Sequence, residues 1–118
     1  NCAIIEIKDA KQPLITGYRQ NEYRISNELA GAISQILKQK DTLYKQYWNI
    51  ACDEEHKLIF NADNIKSVLI IGKIPQSVVE QATFESFRNE LKGVEIITFD
   101  ELLEKIELQI KIIEGTGF

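Results

Sequence analysis

Val68-Leu69-Ile70-Ile71-Gly72 stand without a charge between Lys66 and Lys73. A near-continuous apolar run of this length suits a sheet strand covered on both faces, and Pro75 stops it. Residues 77–92 then follow helical spacing, with Val78, Val79, Ala82, Phe87 and Leu91 expected inward and Gly93 closing the helix at its C′ position. Residues 94–98 read as a further short strand. Thr98-Phe99-Asp100-Glu101 is a capping box that opens a last helix through Leu102, Leu103, Ile106, Ile110 and Ile113; the tail 114–118 is expected to fray. Such alternation of strands and helices points to helices laid against a small sheet.

The first half supplies one more strand and one more helix. Residues 2–8 alternate, with Ala3, Ile5 and Ile7 on one face and Cys2, Ile4, Glu6 and Lys8 on the other. Mixed faces imply burial on one side and chemistry or solvent at one end. Residues 9–25 read as a long loop, with Gln12-Pro13, Thr16-Gly17 and the polar aromatic stretch from Tyr18 to Arg24; long ordered loops tend to be functional. Ser26 reads as an N-cap, with Glu28 in the first turn, of a helix over 27–47. Leu29, Ile33, Ile36, Leu37, Leu43, Tyr44 and Tyr47 form its apolar stripe. Residues 48–64, with Trp48, Asp53-Glu54-Glu55 and His56, read as irregular.

The expected architecture is therefore α/β: one domain over 1–118, with a small mixed sheet flanked by helices. Three strands are few for a stable sheet. The sequence contains no methionine and opens inside a strand-like run, so it reads as an excised part of a longer protein, with elements expected before Asn1.

Charge and composition narrow the function classes. The formal charge is −4, which weighs against binding polyanions through bulk charge. Residues 1–60 carry eight Lys or Arg against eight acids, and residues 61–118 carry six against ten, so a phosphate-binding surface is expected in the first half. Cys2 and Cys52 are far apart, without a CxxC and with a single His in the chain. Structural zinc does not fit that pattern, and free thiols of a cytoplasmic protein are expected. No run approaches the ~18 apolar residues of a membrane span, and nothing resembles a signal peptide.

The sharpest local feature is Glu6-Ile7-Lys8. Alternation projects Glu6 and Lys8 to the same side of the strand, about 7 Å apart along it. A carboxylate can hold a hard divalent cation, and a neighbouring ammonium can orient water and offset charge on a phosphorane. Three letters alone carry little specificity, since alternating charges at a solvated strand end are common. Gln35 lies on a polar stripe of the 27–47 helix with Glu28 and Gln39; its carboxamide can hold a water or a phosphate oxygen, or simply face solvent.

The order of the pieces is more specific than any one of them. Glu6-Ile7-Lys8, Pro13-Leu14, Tyr18-Arg19, the run from Ser26 to Gln35, Asp41-Thr42-Leu43, Val68 to Gly72, Phe84 to Arg88 and Val94 to Leu103 together resemble the C-terminal domain of Shedu-type (SduA) anti-phage defence proteins. The resemblance spans residue 6 to about residue 106. That family is described as a branch of the PD-(D/E)XK nuclease superfamily. The resemblance therefore implies a restriction-endonuclease-like core and a metal-dependent endodeoxyribonuclease acting on DNA with Mg²⁺ or Mn²⁺. Carried over, Glu6 is the metal-binding acid, Lys8 the catalytic lysine and Gln35 the active-site glutamine. The superfamily also uses an Asp from the strand before E-x-K, and no Asp precedes Glu6; Asp9 projects to the opposite face. The chain as given thus carries part of a site, and by itself is expected to be inactive.

Arg19 and Arg24, flanked by Tyr18 and Tyr23, are candidates to meet phosphates and stack on bases; a solvated loop whose aromatics pack on the domain is the alternative. Lys38 adds to the same electrostatic footprint. The apolar last helix and the Trp48 region suit a symmetric contact, so a homo-oligomer is expected. The competing functional reading is a non-catalytic DNA-sensing or oligomerisation module of the same fold.

Overall fold

The computed structural model describes residues 2–51 and 65–115. In chain order the elements are β1 (Cys2–Ile7), β2 (Ile15–Arg19), β3 (Glu22–Ile25), α1 (Asn27–Ala51), β4 (Ile65–Ile70), α2 (Val78–Glu90), β5 (Glu95–Ile97) and α3 (Phe99–Glu114). The fold is α/β.

Residues 68–70 of the uncharged run are the second half of β4, the central strand of a sheet ordered β1-β4-β5 in which both pairings are parallel. Antiparallel pairing among the described strands is confined to the β2–β3 hairpin. Parallel neighbours need crossovers, here α1 between β1 and β4 and α2 between β4 and β5. Two right-handed crossovers stepping the same way leave both helices on one face. That is where the core lies: Leu29, Ala32, Ile33 and Ile36 of α1 and Phe84 of α2 pack with Leu69 of β4 and Ile96 of β5.

The opposite face of β1 is open. Ile5 and Ile7 are 59% and 64% exposed, whereas Ile4 packs on the core and Glu6 is half-buried. The face of β1 that carries charge is therefore the one that meets α1.

Four sequence expectations need correction. The 9–25 stretch contains a hairpin, with Ile15 opposite Ile25 and both packed on the core. Its turn uses Asn21 at φ 62° rather than Gly, and this lacks the Asn-Gly or Asp-Gly signature that marks a hairpin in sequence. Helix α1 continues to Ala51, past the expected end at residue 47. In α2, Phe84 is fully buried, while Val78 and Val79 are 80% and 54% exposed and Ala82 is exposed. The inward stripe runs through Phe84, Phe87 and Leu91, and at ~100° per residue Val78, Val79 and Ala82 fall well away from it. Leu91 is the C-cap of α2, so Gly93, at φ 86°, lies two residues beyond the cap rather than at C′.

The caps read from sequence are present. Ser26 is buried, accepts from the Leu29 amide at 3.0 Å and donates to the Pro13 carbonyl at 2.5 Å. Thr98 and Glu101 form the capping box of α3. Gly72, at φ 63°, cannot carry a side chain, because a Cβ would come within 2.8 Å of the Gln12 carbonyl oxygen and of Leu14. This close approach seats the connection after β1 against the end of β4.

Helix α3 buries none of its residues. Its first turn is pinned by the capping box and by Asp100, which accepts from the Ile74 amide at 3.1 Å. Cys2 is a free, half-buried thiol. Cys52, the acidic stretch 53–55, His56 and the tail 116–118 lie outside the described residues, as does the side chain of Trp48. No helix among the described residues is long and apolar enough to cross a membrane.

Candidate functional site

The ladder of β1 continues one residue past its last strand position: the Lys8 amide donates to the Ile70 carbonyl at 2.8 Å. That bond fixes the backbone of Lys8 at the sheet edge, two residues after Glu6 and on the same face. The Lys8 ammonium then lies 3.2 Å from Glu6 Oε1. It also donates to Gln35 Oε1 at 2.6 Å. From one turn further along α1, Gln39 Nε2 donates to Glu6 Oε2 at 3.5 Å.

The result is one continuous polar chain, Gln39–Glu6–Lys8–Gln35, stretched between a strand edge and a helix. The geometry follows from two periodicities. Residues 6 and 8 share a face of a strand, and residues 35 and 39 share a face of a helix. The structure thus brings together the three residues that the sequence singled out for chemistry. Gln39 shared their stripe in the sequence without a role of its own; its spacing of four from Gln35 was the available signal.

The pair is neither sealed nor fully solvated: the side chains of Lys8 and Glu6 are 28% and 23% exposed. An ion pair in that position keeps part of its Coulomb attraction from solvent screening while leaving oxygen and ammonium edges open to a ligand. Beside it runs a groove of about 520 Å³ between β1 and α1, lined by Ile4, Gln35, Lys38, Gln39, Thr42 and neighbouring residues of α1. Lys38 therefore shares a groove with both glutamines.

Arg19 and Arg24 sit elsewhere, on the β2–β3 hairpin. Their guanidinium carbons lie 5.0 and 5.1 Å from the centre of the Tyr18 ring, so one exposed aromatic ring organises two cations. Among the described residues, no hydrogen bond or ion pair joins them to Glu6 or Lys8. The hairpin rests on α2.

The donor set at Glu6 is hard oxygen, which suits Mg²⁺ or Mn²⁺; such ions are usually held by one or two carboxylates together with substrate phosphates. Glu6 fits as one of those carboxylates. No group of three or more His, Cys, Asp or Glu able to hold a metal ion occurs among the described residues. An ion at Glu6 would accordingly need further donors from substrate or from outside these residues.

A second charged cluster joins α2 to α3. Arg88 donates to Glu101 at 2.7 Å and to the Ile96 carbonyl at 3.2 Å, and pairs with Glu85. Burial alone would lower the Arg88 pKa, but the bonds and charges of Glu101 and Glu85 hold it above the usual value. Burial likewise pushes the Glu101 carboxyl up, and the bonds from Arg88 and Thr98 bring it below the usual carboxylate value. Its contacts join α2 to α3 and to the end of β5.

Residues 1–103 match the family model described as Shedu protein SduA, C-terminal. The chain is also 37% identical, over an alignment of 122 residues, to the Shedu protein SduA of Bacillus cereus (strain B4264). That alignment covers 98% of this chain and 32% of the relative, so the chain spans about a third of the length of the curated relative it matches.

Proposed function

The chain belongs to the Shedu SduA C-terminal family, and from that premise we propose that it supplies the lysine-bearing part of a metal-dependent DNA-hydrolysing site used in defence against phage. The observation that carries this reading is the Gln39–Glu6–Lys8–Gln35 chain at the edge of β1. An ammonium held beside a carboxylate at a sheet edge is suited to phosphodiester hydrolysis, and an ion pair needed only for folding would not require a solvent-open groove alongside.

Each residue has a distinct task in this reading. Lys8 orients the attacking water and offsets the negative charge that develops on the phosphorane oxygens. Gln35 takes one ammonium proton in a hydrogen bond and so fixes where the other two point. Gln39 holds one oxygen of Glu6, leaving the carboxylate in a defined orientation. Glu6 would hold a divalent ion, which when bound polarises the phosphate and lowers the pKa of water. Water adds to phosphorus, the P–O ester bond breaks, and the products are a phosphate monoester end and a hydroxyl end. Arg19, Arg24 and Lys38 would contact DNA phosphates outside the reacting centre. As the isolated chain contributes a single carboxylate, activity is expected of the full-length protein.

The test is nicking of plasmid DNA by the full-length protein, with and without Mg²⁺ or Mn²⁺. Cleavage should require the metal and be lost in Glu6→Ala and in Lys8→Ala. Retention of cleavage in both variants would remove the assignment.

A homo-oligomer completes the proposal, and its contact is assigned to α3. Leu103, Ile106, Ile110 and Ile113 repeat at the three-and-four spacing of a helix–helix seam and are 46–81% exposed. Light scattering on the full-length protein should show a smaller assembly when these four are replaced by Ser, Gln, Gln and Ser; an unchanged mass would place the contact elsewhere.

A further inference from the structure

A second concave surface lies at the starting end of β4, while Lys8 lies beyond the finishing end of the parallel β1. It is an open cavity of about 710 Å³, within the range of small-ligand clefts. Its charged lining comes from five elements: Lys40 of α1, Lys66 of β4, Arg88 of α2, Glu95 of β5, and Glu101 and Lys105 of α3.

Arg88 and Glu101 satisfy one another at 2.7 Å. What remains of the charged lining is Lys40, Lys66 and Lys105 against Glu95. None of the three lysines makes an ion pair among the described residues. In a chain of net charge −4, three unpaired lysines gathered from three elements run against the overall sign. The Lys40 ammonium stands 3.8 Å from the position that a Cβ would take on Gly93, over bare backbone.

An independent observation comes from β4. Ser67 lines this cavity, is 3% exposed, and its hydroxyl is buried without a hydrogen-bond partner among the described residues. A hydroxyl removed from water and given nothing in return is disfavoured; among the apolar residues Ile65 and Leu69, an Ala would fit without that cost. A partner arriving with a ligand accounts for its presence.

We propose that this cavity is a second binding site, separate from the Glu6–Lys8 pair, for a phosphate-bearing ligand. Lysine ammonium groups are compact point charges suited to phosphate oxygens, and a serine hydroxyl can donate to one of them. The phosphate comes either from a free nucleotide or from a nucleic-acid backbone. The site does not depend on the hydrolase reading.

The experiment is calorimetric titration of the full-length protein, in EDTA, with three probes: inorganic pyrophosphate, ATP and a short DNA duplex. Replacing Lys40 and Lys105 together by Gln should weaken at least one probe about tenfold or more, whereas the surface control Lys45→Gln should leave that probe's affinity unchanged. Ser67→Ala should weaken the same probe while raising the melting temperature, a combination that a merely structural Ser67 would not produce. Loss of ATP or pyrophosphate binding assigns the ligand to free phosphates; loss confined to the duplex assigns it to a nucleic-acid backbone. The proposal is overturned if no probe binds, if the double variant binds every probe as the wild type does, or if Lys45→Gln is as damaging as the double variant.

Discussion

Two charged clusters, built from similar residue types, stand at opposite ends of the chain and use their valences differently. In the β1–α1 chain, Lys8 bonds Glu6 and Gln35 while both ionic side chains keep about a quarter of their surface exposed beside a groove. In the α2–α3 cluster, Arg88 is engaged by Glu101, Glu85 and the Ile96 carbonyl, its guanidinium lies over the Phe84 ring, and Glu101 is also committed to the α3 cap. The first cluster leaves carboxylate and ammonium edges open beside a groove; the second ties α2 to α3, a helix that buries none of its residues. Open polar edges at a groove mark a place where a ligand can bind, and ion pairs strung between two helices mark a joint.

Substitutions that remove one cation from each cluster separate these roles. The largest effect is expected from Lys8→Met, which should reduce DNA cleavage by the full-length protein by roughly 10²–10⁴-fold while changing stability by less than about 1 kcal/mol, as read from cleavage time courses and denaturant melts on the same sample. Arg88→Met should do the reverse. It removes charge-assisted bonds to a part-buried carboxylate, and the unfolding free energy should fall by about 2–3 kcal/mol, with cleavage retained at temperatures where the variant is folded.

Gln39→Leu sharpens the comparison inside the first cluster. Losing the bond to Glu6 Oε2 should lower cleavage about tenfold, equivalent to about 1.4 kcal/mol. Gln39→Glu should lower it further, because it faces Glu6 with a like charge, and the metal concentration needed for half-maximal rate should change in both variants.

The smallest effect is a pH dependence carried by the second cluster. The Glu101 carboxyl is held below its usual value in the folded protein, so its contribution to stability is present above the unfolded value and is lost as pH falls through the folded one. Thermal melts between about pH 6 and pH 3 should show the wild type losing more stability toward the acid end than Glu101→Gln. Parallel curves would mean that the cluster does not titrate with folding.

The same contrast explains which parts of the molecule were legible in the sequence. Ser26 and the Thr98–Glu101 box could be read because capping is local chemistry at fixed spacing. Central β4 could be read from its uncharged run, and the pairing of Glu6 with Lys8 from strand alternation. Their meeting with Gln35 is a contact across 27 positions, which spacing alone does not supply; the family's order of motifs pointed to it. The β2–β3 hairpin was hidden because Asn21 replaces the usual glycine signal and polar residues cover its alternation. Phe84 was missed because adjacent valines at the start of α2 suggested a different phase, and the valines prove to be solvent-facing. The Arg88 cluster draws on two helices, and nothing in either segment alone predicts a shared ion pair.

The most direct test is a matched pair: rates of metal-dependent DNA cleavage by full-length Lys8→Met and Arg88→Met, measured at one temperature where circular dichroism shows both folded. Cleavage lost in Lys8→Met and kept in Arg88→Met is the predicted result. Cleavage kept in Lys8→Met, or lost in both folded variants alike, would contradict the assignment of chemistry to the edge of β1.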